Sequence, residues 1–409
     1  NSANGTSLTI EALASVTGDK YGIRAVKQGA GALSITTDSV TSYGDGISAF
    51  NEGAGALSII TSGAVEGKSF IGIGADNSAN GTYLTIEASD SVTGGYTGIY
   101  ANNSGTGALS ITTDSVAGYE YGIYADNNGT GALSITTSGA VEGKSQAGIS
   151  AFNSANGTSL TIEASDSVAG NHEGGIAARN SGTGALSIIT SGAVEGKSFI
   201  GIGADNSANG TYLTIEASDS VTGGYTGIYA NNSGTGALSI TTDSVAGYEY
   251  GIYADNNGTG ALSITTSGAV EGKSQAGISA FNSANGTSLT IEALASVTGN
   301  VYGIRALNEG IGALNITTEG TVEGKSFIGI QATNSANGTS LTIEALASVT
   351  GDTYGINAEN NGTGALSITT SGVVTGQSRS GIFAVNYGTS LTIEAEASVT
   401  SSSNGIAAV

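Results

Sequence analysis

A three-part phrase recurs sixteen times along this chain: Leu-x-Ile, then Val, then Gly-Ile-x-Ala. It runs first as Leu8-Thr9-Ile10, Val16 and Gly22-Ile23-Arg24-Ala25, and last as Leu391-Thr392-Ile393, Val399 and Gly405-Ile406-Ala407-Ala408. The Gly of Gly-Ile advances by 24, 26 or 27 residues at each step, and the register holds throughout the 409 residues. A unit this short cannot bury its own apolar residues, so its copies must stack on one another. The period therefore predicts one continuous solenoid over residues 1–409, with function carried on its surface.

Within one unit, Leu-x-Ile alternates apolar and polar residues, the period of a strand with one buried face. Gly-Ile-x-Ala does the same, and a shorter strand is centred on Val. Asn-Gly-Thr, Gly-Thr-Gly, Ser-Gly and Thr-Gly supply the turns between them. Three strands and three turns in about 26 residues make one rung of a parallel β-helix. The expected fold is all-β: a right-handed parallel β-helix of about 16 rungs. Hexapeptide left-handed coils need fewer residues per rung.

Two residues beyond the Ala stands an Asn in nearly every rung: Asn51, Asn77, Asn103, Asn127, Asn153, Asn180, Asn206, Asn232, Asn256, Asn282, Asn308, Asn334, Asn360 and Asn386. The first rung has Lys27 in that place. Asn tolerates left-handed backbone, and stacked amides can hydrogen-bond from rung to rung. A structural ladder at a turn is expected. Asn-Gly-Thr at Asn4, Asn80, Asn128 and Asn156 also fits the glycosylation sequon, but Asn-Gly is first of all a turn.

Charge is sparse and one-sided, with 33 acidic against 11 basic residues and a net charge of −22. A polyanion repels nucleic acid and anionic lipid, so neither is an expected partner. Apolar runs of a few residues do not insert in a bilayer. The glutamates of the Leu-Thr-Ile-Glu rungs, among them Glu11, Glu87 and Glu163, never fall on neighbouring rungs. Like charges stacked about 5 Å apart would repel, and the alternation avoids this. The same glutamates interrupt the outward Ser/Thr array that an ice-binding face would need. Residues Gly55 to Ala164 recur unchanged as Gly184 to Ala293, so the array grows by block copying.

Rungs such as Gly131-Ala132-Leu133-Ser134-Ile135-Thr136-Thr137-Ser138-Gly139-Ala140-Val141, followed by Gly148-Ile149, resemble the repeats of bacterial autotransporter passengers. The resemblance covers essentially the whole chain through a degenerate, compositional motif. It implies an extracellular β-helix, on the bacterial surface or secreted, of a family that includes adhesins and self-association factors. The lack of cysteine suits export through an oxidising periplasm. The chain opens on Asn1-Ser2-Ala3-Asn4-Gly5-Thr6, a phrase found inside the repeat at Asn77 to Thr82, and is expected to be a segment of a longer repeat protein.

Chemistry is hard to place here. The single histidine, His172, falls in a turn; Gly-x-Ser-x-Gly and the calcium nonapeptide are missing; Arg occurs only at 24, 179, 305 and 379. No enzyme activity, metal or cofactor is expected. Tyrosine is the surface feature that stands out. Tyr96, Tyr100, Tyr119, Tyr121 and Tyr124 lie in two consecutive rungs, and Tyr225, Tyr229, Tyr248, Tyr250 and Tyr253 repeat them. Tyr100 should stack on Tyr124, and Tyr229 on Tyr253. The expected function is a non-catalytic extracellular rod whose tyrosines meet a second copy of the chain, a host-cell surface or a glycan. The alternative is a filament subunit joined head to tail through open rung edges.

Overall fold

The computed structural model describes residues 1–409 as strands and turns without a helix. Its strands form three sixteen-stranded parallel sheets, and each rung contributes one strand to each sheet. The Leu-x-Ile sheet begins with Leu8–Ala12 and Leu33–Thr37, the narrow Val sheet with Val16–Gly18 and Val40–Ser42, and the Gly-Ile sheet with Tyr21–Lys27 and Asp45–Asn51. This is the parallel β-solenoid that the period implies. No helix is long and apolar enough to cross a membrane. By packing, the chain divides into two compact units, Asn1–Phe199 with Gly203–Gly210, and Ile200–Ile202 with Thr211–Val409.

In each unit, like stacks on like. In the first, Leu109 pairs with Leu133, Ile111 with Ile135, Val116 with Val141, and Ile123 with Ile149. In the second, Leu262 pairs with Leu289, Val270 with Val297, and Ile278 with Ile304. These side chains are fully or almost fully removed from solvent. The alternating period fixes the register, because a slip of one residue would turn every Leu and Ile outward. The glutamates of the Leu-x-Ile sheet lie beside threonine or isoleucine: Glu87 faces Ile60 and Thr112, and Glu292 faces Thr265 and Thr317.

The glycine of Gly-Ile has a steric cause. A Cβ on Gly122 would lie 2.6 Å from Val141 Cγ1 and 2.7 Å from the Gly148 carbonyl oxygen, both in the following rung. Gly251 meets the same obstacles, with Val270 Cγ1 at 2.5 Å and the Gly277 oxygen at 2.7 Å. Rungs can close at this corner only if the position has no side chain.

The asparagines are the last residues of the Gly-Ile strands and point into the protein rather than into a turn. Within each unit, Nδ2 donates to the Oδ1 of the asparagine in the next rung: Asn103 to Asn127 at 3.0 Å, Asn127 to Asn153 at 2.8 Å, Asn256 to Asn282 at 2.8 Å. The second amide hydrogen caps a carbonyl of the following loop, as from Asn127 to Gly131 at 2.9 Å. The expectation of left-handed backbone here is corrected: no residue other than glycine has positive φ. Asn is selected for its two donors and its acceptor, all needed in a buried column.

Lys27 opens the column. It is fully buried, and its ammonium donates to Asn51 Oδ1 at 3.1 Å, to the Ala54 carbonyl at 2.7 Å and to the Gly29 carbonyl. Every amide donates toward higher residue numbers, so the first member needs only donors on that side. Lysine has three and no acceptor. Burial without a carboxylate lowers its pKa from the ordinary lysine value.

A second buried column is less well satisfied. Thr113 and Thr137, paired in the Leu-x-Ile sheet, bury hydroxyls that have no hydrogen-bond partner. An unpartnered buried hydroxyl costs on the order of 1 kcal/mol or more. Thr113→Val with Thr137→Val keeps the shape and removes both hydroxyls. The double variant should unfold at higher urea concentration, with a gain of about 2 kcal/mol over the parent.

Candidate functional site

The strands Thr97–Asn103 and Tyr121–Asn127 place Ile and Ala inward, so the residue between them faces out. That residue is Tyr100 on one rung and Tyr124 on the next, in direct register. Their rings stack with centroids 5.5 Å apart and planes within 3°. Tyr121, just before Gly122, adds an edge contact to Tyr124 with centroids 5.2 Å apart. Tyr229, Tyr253 and Tyr250 form the equivalent group in the second unit, at 5.5 and 5.2 Å. Stacked and edge contacts of this kind add about 0.5–1.5 kcal/mol beyond the area they bury.

The ten tyrosines do not form a single surface. Tyr96 lies at the turn before its strand, where the neighbouring Glu120 carboxylate raises its pKa, and Glu249 does the same for Tyr225. Tyr119 and Tyr248 are each 58% exposed. Tyr119 lines a separate shallow groove with Gly94, Gly95 and Lys144. The structure thus joins Tyr100, Tyr121 and Tyr124, and separately Tyr229, Tyr250 and Tyr253.

Sequence reasoning missed the ends of both groups. Phe152 continues the first, 6.0 Å from Tyr124, and Phe281 the second, 5.7 Å from Tyr253. The signal was available in Gly148-Ile149-Ser150-Ala151-Phe152-Asn153, where the second outward position holds an aromatic ring. The two groups are identical in sequence but end differently. Tyr121 Oη donates across the intervening rung to Glu173 Oε1 at 3.0 Å, and Ser150 Oγ donates to Glu173 Oε2 at 3.4 Å. In the second unit Tyr302 and Arg305 follow instead, with the guanidinium 5.0 Å from the Phe281 ring centre and 5.5 Å from that of Tyr302. One aromatic group is bordered by a carboxylate and the other by a cation–π contact.

Burial raises the pKa of Tyr100, Tyr124 and Tyr253, and nearby aspartates add to the shift. Tyr121 is raised most, by burial and then by Glu173. A phenol whose folded pKa lies above its unfolded one adds stability that is complete below the ordinary value of 10.0 and lost as pH rises beyond it. Tyrosinate absorbance of the folded chain should therefore lag behind that of the urea-unfolded chain. Tyr121→Phe should shorten the lag and reduce the alkaline loss of stability.

His172 is exposed in its turn, where its amide donates to the Ser145 carbonyl at 3.1 Å. No group of three or more His, Asp or Glu side chains converges on one point. Compared with known protein families, curated proteins and solved structures, the chain finds no match.

Proposed function

We propose that this chain is a non-catalytic structural segment of an extracellular bacterial protein, of the autotransporter-passenger kind, whose aromatic groups mediate adhesion or self-association. The observation that carries this reading is the outward-facing, half-buried stacked tyrosine pair, present once in each unit on a regular solenoid with an aliphatic core. Tyrosine presents broad contact area at low entropic cost and is enriched where proteins meet partners. Conversely, the charges that border the pairs belong mostly to the repeat, which suits a surface for contact rather than a reaction centre.

The test is a fourfold variant, Tyr100→Ser, Tyr124→Ser, Tyr229→Ser and Tyr253→Ser, compared with the parent for self-association and for retention on glycan-coated or cell surfaces. The reading expects association or retention in the parent and at least a tenfold loss in the variant. Equal behaviour of the two proteins would overturn it, as would release of sugars or peptides from a substrate panel.

A second reading makes the chain a filament subunit joined head to tail, because parallel strands at an open rung edge pair with another copy. Electron microscopy over a range of concentrations separates the two. Fibres that lengthen with concentration and ignore the fourfold variant favour a filament subunit.

A further inference from the structure

Two residues before each Gly-Ile stands a side chain that lines the corner between the Val and Gly-Ile sheets. Gly44 is the only glycine in that column. Its neighbours on either side are Lys20 and Phe70, and the column continues with Tyr96. The missing side chain opens a groove of about 500 Å³ lined by Lys20, Tyr21, Gly44, Asp45, Phe70, Ile71 and Tyr96. Gly44 cannot be replaced cheaply, because a Cβ there would lie 2.1 Å from the Lys20 carbonyl oxygen.

We infer that this groove binds a single uncharged pyranose ring of a glycan. Lys20 and Tyr21 form one wall and Phe70 and Ile71 the other, two rungs apart. At about 4.8 Å per rung the walls stand roughly 10 Å apart, room for one ring between them. Phe70 is 60% exposed and offers a face to the C–H groups of a sugar. The Tyr21 ring is held by two cations, Arg24 at 5.2 Å and Lys20 at 5.5 Å from its centre. On the floor, Asp45 Oδ1 accepts the Ile71 amide at 3.2 Å, which leaves Oδ2 as an acceptor.

The charges select the occupant. Lys20 and Asp45 both line the groove without forming an ion pair with each other. A cationic ligand is opposed by Lys20 and an anionic one by Asp45. A flat apolar ring would satisfy the walls but strip water from both charges without replacing its hydrogen bonds. A neutral pyranose offers hydroxyl donors to Asp45, hydroxyl acceptors to Lys20 and C–H faces to the walls. The duplicated block carries Phe199, Ile200 and Tyr225 in the places of Phe70, Ile71 and Tyr96. There they follow Glu173-Gly174 rather than Gly44-Asp45. The complete set occurs once.

This inference gives the adhesive reading a ligand class and rests on that reading only for its biological use. Saturation-transfer NMR on the full 409-residue chain tests it, with methyl glycosides of glucose, galactose and N-acetylglucosamine as probes. The expected result is transfer to the ring C–H protons of at least one glycoside. It should fall at least fivefold in Phe70→Ser and in Asp45→Asn and remain unchanged in Tyr387→Ser, a substitution at an exposed tyrosine outside every aromatic group and groove. Both informative substitutions lie on the surface, and circular dichroism checks that each variant folds. The inference is overturned by absence of transfer from every glycoside, by equal transfer in Phe70→Ser and Asp45→Asn, or by N-acetyltyrosinamide displacing the sugars from the parent. The fourfold tyrosine variant leaves Phe70 and Asp45 in place, so sugar binding and surface adhesion can fail separately.

Discussion

Asn127→Ala is expected to lower the stability of the first unit by about 3–4 kcal/mol, because it breaks three buried hydrogen bonds in the middle of the amide column. Asn127 accepts from Asn103 at 3.0 Å and donates to Asn153 at 2.8 Å and to the Gly131 carbonyl at 2.9 Å. The truncation leaves Asn153 Oδ1 and the Gly131 oxygen without these donors. Urea unfolding followed by circular dichroism measures the loss, and in a solenoid it should begin at the affected rungs.

Asn127→Asp sharpens the result. A carboxylate at this position still accepts from Asn103 but faces two acceptors where the amide donated. At neutral pH it should be less stable than the alanine variant. Its folded-state pKa would be raised above the unfolded value, so the penalty is absent below the unfolded pKa and grows as pH rises toward the folded one. Acidification should therefore narrow the gap between Asn127→Asp and the parent. If the gap does not change with pH, the column is not a donor–acceptor chain.

Gly122→Ala is expected to cost about 3 kcal/mol, the upper part of the range for forcing a methyl group into a packed corner. The new Cβ meets Val141 Cγ1 at 2.6 Å and the Gly148 carbonyl oxygen at 2.7 Å. The side chain can be trimmed; the carbonyl cannot move without shifting the next rung. Val141→Ala alone leaves a cavity, yet in the Gly122→Ala background it should recover part of the loss. A double-mutant cycle in urea should show a coupling of about 1 kcal/mol or more between these two positions. Simple additivity would mean that the Val141 methyl is not what the glycine accommodates.

Much of the fold is legible in the chain because each rung repeats the same instruction. Leu-x-Ile, Val and Gly-Ile-x-Ala recur at fixed spacing, and any register other than like-on-like exposes a whole column. The asparagine column was legible as a column but not in its direction. Alternation from Ile123 through Ala125 to Asn127 turns the amide inward, whereas the turn propensity of asparagine suggested a loop. The same alternation turns Thr113 and Thr137 inward, against their polarity.

The candidate surfaces divide in the same way. Tyr100 over Tyr124 follows from their shared place in adjacent rungs. The Tyr121–Glu173 hydrogen bond spans 52 residues across the small side chain of Ala147, and no local pattern signals it. The groove at Gly44 is harder still to read. It arises from one absent side chain between Lys20 and Phe70, and its meaning appears only when the rungs on both sides are in place.

The parallel register underlies all of these assignments, and cysteine pairing tests it most directly. The chain contains no cysteine, so introduced pairs have no competitors. Tyr100→Cys with Tyr124→Cys sets two thiols on adjacent rungs about 5 Å apart, within the 4.4–6.8 Å Cα range that a disulfide needs. Tyr100→Cys with Ser150→Cys sets them two rungs apart, roughly 10 Å, which is beyond reach. The structure predicts near-complete intramolecular oxidation of the first pair and none of the second, read by mass spectrometry. Oxidation of the second pair, or failure of the first, would contradict the stacked register on which the aromatic groups, the amide column and the groove all depend.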